Sequence, residues 1–171
     1  LAPVAGVYGT KGVPDAANVP GARDDSISWI DSTGNLWLFG GYGYDYDGSA
    51  IIGRLNDLWR YDPETNQWTW MGGSNTRNQV GTYGTKGVPS AANVPVARKS
   101  GISWTDGSGN LWLFGGTDPE WDYLNDLWRY DRTSKMWTWM SGSNLRNRTG
   151  TYGTKGVPAV ANVPGARDGS I

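Results

Sequence analysis

The chain has 171 residues, with 15 Lys and Arg against 16 Asp and Glu, 26 Gly, 9 Pro and 11 Trp, and neither Cys nor His. A formal charge of −1 provides no basic field to hold a phosphate backbone, which argues against nucleic acid as a partner. The missing Cys and His exclude disulfides, thiolate nucleophiles, imidazole bases and the metal sites built from those ligands within these residues.

Trp and Tyr suit pleated, half-buried surfaces, and their abundance beside so much Gly and Pro points to an all-β chain. No apolar run approaches the roughly 20 residues that cross a bilayer, so membrane insertion is not expected. Leu1 to Gly12 lacks the basic start and apolar core of a signal peptide, and any export signal is expected outside this sequence.

Residues 1–22 read as a connector built around Gly6-Val-Tyr-Gly-Thr-Lys-Gly-Val-Pro14. Four short strands follow at about 23–31, 35–41, 56–62 and 67–71, marked by period-two or continuous apolar patterning between turn signals. The turn Asp31-Ser-Thr-Gly34 and the segment Asp62-Pro-Glu-Thr-Asn66 each carry hairpin chemistry: Gly for a positive φ, Pro for the second turn position, Asp for local backbone bonds. In the third strand Trp59 and Tyr61 share one face and Leu58 and Arg60 the other, so the sheet carries bulk on both sides and must be sandwiched.

The same series then returns. Gly34-Asn-Leu-Trp-Leu-Phe-Gly-Gly41 recurs unchanged 75 positions on as Gly109 to Gly116, while Leu55 to Asp62 and Trp68 to Met71 recur 69 positions on. Six residues are lost from the connection after the double glycine, which marks a loop of variable length there. Residues 72–97 form a second connector, 98–140 the second repeat with strands near 98–106, 110–116, 125–131 and 136–140, and 141–166 a third connector. Residues 167–171 would begin the first strand of a third repeat. The near-identity of the connector motif in three copies predicts a strap lying against each repeat.

A double glycine ending the second strand, then a Tyr, six residues and a Trp resembles the kelch repeat: Gly40-Gly41, Tyr61 and Trp68 in one copy, Gly115-Gly116, Tyr130 and Trp137 in the other. Kelch repeats run to about 50 residues, whereas these run to 75 and 69, the excess lying in the connectors. The resemblance implies a β-propeller of four-stranded antiparallel blades, first strand innermost, with loops at one mouth doing the binding. Two blades and the start of a third fall short of the roughly four to eight that close a ring, so further blades are expected from a longer chain or from identical subunits.

Kelch propellers include protein-binding adaptors, carbohydrate-related surface proteins and the copper enzyme galactose oxidase. The copper-radical site of the last needs His and a Cys-modified Tyr, neither of which occurs here. The expectation is a non-enzymatic binding or scaffold module without cofactor, facing a protein or glycan. The alternatives are a carbohydrate-active enzyme with its catalytic residues outside this sequence, or a structural surface array. The Trp-, Gly- and Asn-rich repeats point to an extracellular or cell-surface setting.

Arg23, Arg98 and Arg167 open the innermost strands, where they would grip a partner's carboxylates or bridge blades, and the following position varies from Asp24 to Lys99 to Asp168. Asp57 and Asp126, repeated once per blade, read as turn-capping or strand-entry residues rather than catalytic carboxylates. In the variable loop Tyr44, Tyr46 and Trp121 could stack on sugar rings or fold back over the blade. Asp45, Asp47, Asp118, Glu120 and Asp122 have spacings that could offer oxygens to Ca²⁺, though without a full calcium-loop consensus. The connector lysines Lys11, Lys86 and Lys155 lack the order of a phosphate loop, and Asn147-Arg-Thr149 is a glycosylation sequon of low specificity.

Overall fold

The computed structural model describes residues 4–169, in which all regular structure is strand. The first blade is built from β1 (Arg23–Asp24), β2 (Ile27–Ile30), β3 (Leu36–Gly43), β4 (Gly53–Asp62) and β5 (Gln67–Gly72). The second comprises β6 (Ile102–Thr105), β7 (Leu111–Phe114), β8 (Leu127–Asp131) and β9 (Met136–Ser141). Every pairing within them is antiparallel, in the orders β1/β2-β3-β4-β5 and β6-β7-β8-β9.

The predicted innermost strand 23–31 is broken in two. Asp25 adopts φ 50°, which interrupts the ladder, and β1 and β2 each pair separately with β3. At the matching place Ser100 has φ 57°, so the predicted strand 98–106 shrinks to β6, and the backbone of Lys99 forms an isolated bridge with Thr117. Of the expected third-repeat strand, Ser170 and Ile171 lie outside the described residues.

The double glycine has a specific task. Gly40 and Gly41 sit at φ 61° and 101°, and a Cβ on Gly40 would lie 2.6 Å from the carbonyl oxygen of Arg98. That close approach lets the Gly41 N–H donate to the Arg98 carbonyl at 2.9 Å, and Gly116 does the same to Arg167. The Gly-Gly step is thus where each blade bonds the entry of the next.

The seam between blades is the main core: Ile27, Trp29, Trp37, Phe39 and Leu58 from the first blade meet Leu111, Leu113, Trp128, Tyr130 and Trp137 from the second. Phe39 lies edge-on to Trp137 with centroids 5.5 Å apart, and the Trp29 indole donates to the Trp112 carbonyl at 2.9 Å. Both faces of each sheet carry bulk because each blade must present one apolar face to the blade before and another to the blade after.

The first and second connectors each fold as a strap along the outer edge of the blade they precede. The N–H groups of Gly12 and Asp15 donate to the carbonyls of Trp70 and Trp68, and those of Gly87 and Ser90 to Trp139 and Trp137. An outermost strand would otherwise offer unpaired backbone groups to other chains. Lys11 and Lys86 lie 4.3 Å above the rings of Trp70 and Trp139 and donate to the carbonyls of Gly73 and Gly142. These lysines are structural pins.

The first hairpin turn of each blade also anchors an indole. Asp31 accepts from Trp37 Nε1 at 2.8 Å and Asp106 from Trp112 Nε1 at 2.7 Å, with Thr33, Asn35 and Asn110 adding further donors. Burial works against the charge on Asp31, but the hydrogen bonds from Thr33, Trp37 and Asn35 outweigh it and hold it well below the usual carboxylate range. Bonds from Trp112 and Asn110 bring Asp106 down to about 2. Lowered folded values mean stability that is complete above the unfolded carboxylate value of about 3.9 and disappears as pH falls through the folded value. Thermal melts should therefore show the steepest loss of Tm between about pH 4 and pH 2, and Asp106→Asn should flatten that slope.

Candidate functional site

The charged residues nearest the blade entries form a buried clamp. Arg98 is fully buried and pairs with Asp126 through Nη1 at 2.7 Å and Nη2 at 2.6 Å, while its Nε and Nη1 also donate to the carbonyls of Val96 and Gly115. Tyr83 Oη and Trp128 Nε1 donate to the same carboxylate at 2.6 and 2.7 Å. The first blade repeats the arrangement: Arg23 pairs twice with Asp57, joined by Tyr8 at 2.7 Å and Trp59 at 2.7 Å. Burial alone would destabilise the Arg98 and Asp126 charges, yet their mutual attraction wins, raising the guanidinium and lowering the carboxyl. Burial, reinforced by the Asp126 charge, pushes the Tyr83 phenol up, so it stays a donor.

This corrects two expectations. Arg23 and Arg98 point into their own blades rather than toward a partner or across a seam, because a buried guanidinium needs its carboxylate at hand. Asp57 and Asp126 do not cap turns; they accept from strap, entry strand and third strand together. The strap Tyr is the member of the clamp that sequence reading did not single out, although it stands 15 residues before the Arg in all three copies. Arg167 has only Tyr152 and the Gly165 carbonyl as described partners.

The groups that do cross the seam lie beside the variable loop. Lys99 Nζ pairs with Asp25 at 2.7 Å, and Arg54, only 2 % exposed, donates from Nε to the Thr117 carbonyl at 3.1 Å. The Arg54 guanidinium lies 4.0 Å from the Trp121 ring, with Tyr42 and Lys99 alongside. Trp121 stays 62 % exposed above this cation pair, at φ 67°. Asp24 is exposed and paired in register with Tyr42, Tyr44 is half-buried with its N–H on the Ala22 carbonyl, and Tyr46 is exposed. Arg54 has Tyr123 at the matching position of the second blade, so no repeat marked it out.

The acidic residues of both loops are each clasped by an arginine. Arg77 Nη1 bridges Asp45 at 3.0 Å and Asp47 at 2.8 Å, and Arg146, 69 positions on, reaches Asp118, Glu120 and Asp122. Carboxylate oxygens of Asp118, Glu120 and Asp122 lie within 4.8 Å of one another, but the Arg146 guanidinium stands among them and supplies the positive charge a calcium ion would bring. Burial holds the Asp118 carboxyl above its ordinary range despite the Asp122 backbone contact and Arg146. The Asn147 side chain of the sequon donates to Asp122 at 2.6 Å, which commits it to the same loop.

Comparison with known proteins agrees with this architecture. The kelch motif family model matches residues 32–69. N-acetylneuraminate epimerase of Yersinia pestis is 35% identical over 69 residues, 40% of this chain and 18% of that protein. Kelch domain-containing protein 10 of Homo sapiens is 28% identical over 166 residues, 74% of this chain and 37% of its relative. The chain thus spans well under half the length of these relatives. The solved structure of YjhT superposes with a TM-score of 0.53 at 18% identity, covering 75% of this chain and 40% of that one. With Gly-Gly, Tyr and Trp recurring in two strapped antiparallel sheets, the chain carries kelch-type repeats folded as blades of a β-propeller.

Proposed function

We propose that this chain is a binding and scaffold module of a larger propeller, and that its variable loops at the blade seam take a glycan. One observation carries the reading: Asp57, Asp126, Arg23 and Arg98 are consumed in buried clamps, whereas Trp121 presents an exposed ring backed by Arg54 and Lys99. A flat ring offers stacking to the apolar face of a sugar, with the buried Arg54 fixing the ring from behind, and the Lys99–Asp25 pair beside it offers partners for hydroxyl and acidic groups. Screening the chain on a glycan array and titrating the hits by calorimetry tests this. Trp121→Ala is expected to weaken binding about tenfold, roughly 1.4 kcal/mol, with the melting temperature unchanged. Binding that is absent, or indifferent to Trp121, would remove the glycan reading and leave a protein partner.

A second reading, an enzyme acting on carbohydrate, is favoured by the relatives named N-acetylneuraminate epimerase. Following the epimer ratio of N-acetylneuraminate by proton NMR in the presence of the chain separates catalysis from binding alone.

A further inference from the structure

At the end of the seam opposite Trp121, the hairpin turns of the two blades meet through the Asp31–Arg132 ion pair. One cross-strand row of the first blade leads there: Trp29, Trp37, Arg60 and Thr69 are paired in register across β2, β3, β4 and β5. Arg60 shares a face with Leu58 two positions before it, so the row looks toward the second blade. Trp29 and Trp37 belong to the seam core, and Arg60 and Thr69 continue the row toward the outer edge. There the packing opens into a cavity of about 270 Å³, walled by Trp37 and Met71 and lined from the second blade by Arg132 and Lys135.

Two polar atoms of the lining residues are orphaned. Arg60 Nε and Thr69 Oγ1 are buried with no hydrogen-bond partner among the described residues, and Thr69 is only 1 % exposed. Among those residues neither Arg60 nor Lys135 joins an ion pair. Arg132 is partly committed, with Nη1 on Asp31 at 2.8 Å and Nε on the Gly109 carbonyl at 2.6 Å. Asp31 is the one carboxylate in the lining, and its Oδ2 already accepts from Arg132, from Trp37 Nε1 and from Asn35 Nδ2. Three cations thus stand around one carboxylate whose bonds are taken, and a buried donor without a partner is costly to keep.

We infer that this seam cavity binds an oxyanion group, a carboxylate or a sulfate or phosphate. The Arg60 guanidinium offers Nε and a terminal nitrogen as a fork for two oxygens, the Thr69 hydroxyl donates a further bond, and Lys135 adds a point charge from the facing turn. The volume admits a small anion or the acidic end of a larger molecule. The repeat supplies only half of the site. Arg60 and Thr69 recur as Arg129 and Thr138, whereas Arg132 and Lys135 stand where the turn of the first blade has Pro63 and Asn66. The cations that complete the site therefore come from the second blade's own turn rather than from a feature shared by every blade. The site lies at the other end of the blades from Trp121 and does not depend on the glycan reading.

NMR chemical-shift titrations of the isotope-labelled chain test it, with acetate in one series and sulfate in another, each balanced by chloride at constant ionic strength. Saturable shifts at the amides of Arg60, Thr69 and Lys135 are expected, with a Kd on the order of 1 mM for the preferred ion. Which ion binds more tightly tells a carboxylate site from one for a tetrahedral oxyanion. Lys135→Asn installs the residue that the first blade holds at φ 57°, against 58° for Lys135, so the charge is lost while the turn is kept, and affinity should fall about threefold. Thr69→Val removes the orphaned hydroxyl at nearly the same shape. It should keep or raise the melting temperature while weakening anion binding about tenfold, a split that a purely structural role would not give. Arg60→Met should abolish saturable binding, and Trp121→Ala should bind the ion as the wild type does, which keeps this site separate from the glycan reading. No saturable shift with either ion, binding that survives Arg60→Met, or affinity unchanged in both Lys135→Asn and Thr69→Val would each overturn the site.

Discussion

Asp126→Ala is expected to lower the stability of the folded chain by about 3–5 kcal/mol, the range for removing one partner of a buried ion pair. The carboxylate is fully buried and accepts from Arg98 twice, from Tyr83 and from Trp128. Its removal leaves the Arg98 charge without a counter-ion at zero exposure and strands the phenol and indole donors together. Most of the loss comes from those stranded groups, so the double variant Asp126→Leu with Arg98→Met should be less destabilised than Asp126→Ala alone. Urea unfolding followed by Trp fluorescence reads both. A single variant within about 1 kcal/mol of wild type would mean that water reaches the site and that the clamp does not hold strap to blade.

Why the clamp escaped sequence reading is instructive. Asp57 lies 49 residues from Tyr8 and 34 from Arg23, and in the second blade the Arg-to-Asp spacing shortens to 28 because the loop between them is shorter. Local turn chemistry was the nearest explanation for an Asp beside a strand, and it was the wrong one. The fold was easier to read, because alternation and turn residues act within a few positions, and the Gly-Gly step announced a backbone conformation that a side chain would not tolerate. The strap could be anticipated from its repetition, though not the edge it covers. The seam cluster was hidden for a different reason: Arg54 and Thr117 come from different blades and have Tyr123 and Tyr42 at their matching repeat positions, while Trp121 lies in the loop whose length changes between the repeats. Repetition points to what every blade shares, and so passes over the place where two blades differ.

Phe39→Ala supplies the second large effect, and its counterpart Phe114→Ala supplies the control. Phe39 is fully buried in the seam, edge-on to Trp137, and truncating it should cost about 3–5 kcal/mol from lost transfer energy and the cavity left behind. Phe114 has the same neighbours in sequence but sits half-buried on the open face of the second blade. In dilute solution its truncation should cost roughly 1 kcal/mol or less, since little apolar area is removed from contact. The two variants differ in which side of the blade repeat is covered rather than in chemistry, and thermal melts at low concentration should separate them widely. Equal melting temperatures for the two variants in dilute solution would show that the blades do not bury their shared face, and the seam would then lose its place as the core of the chain.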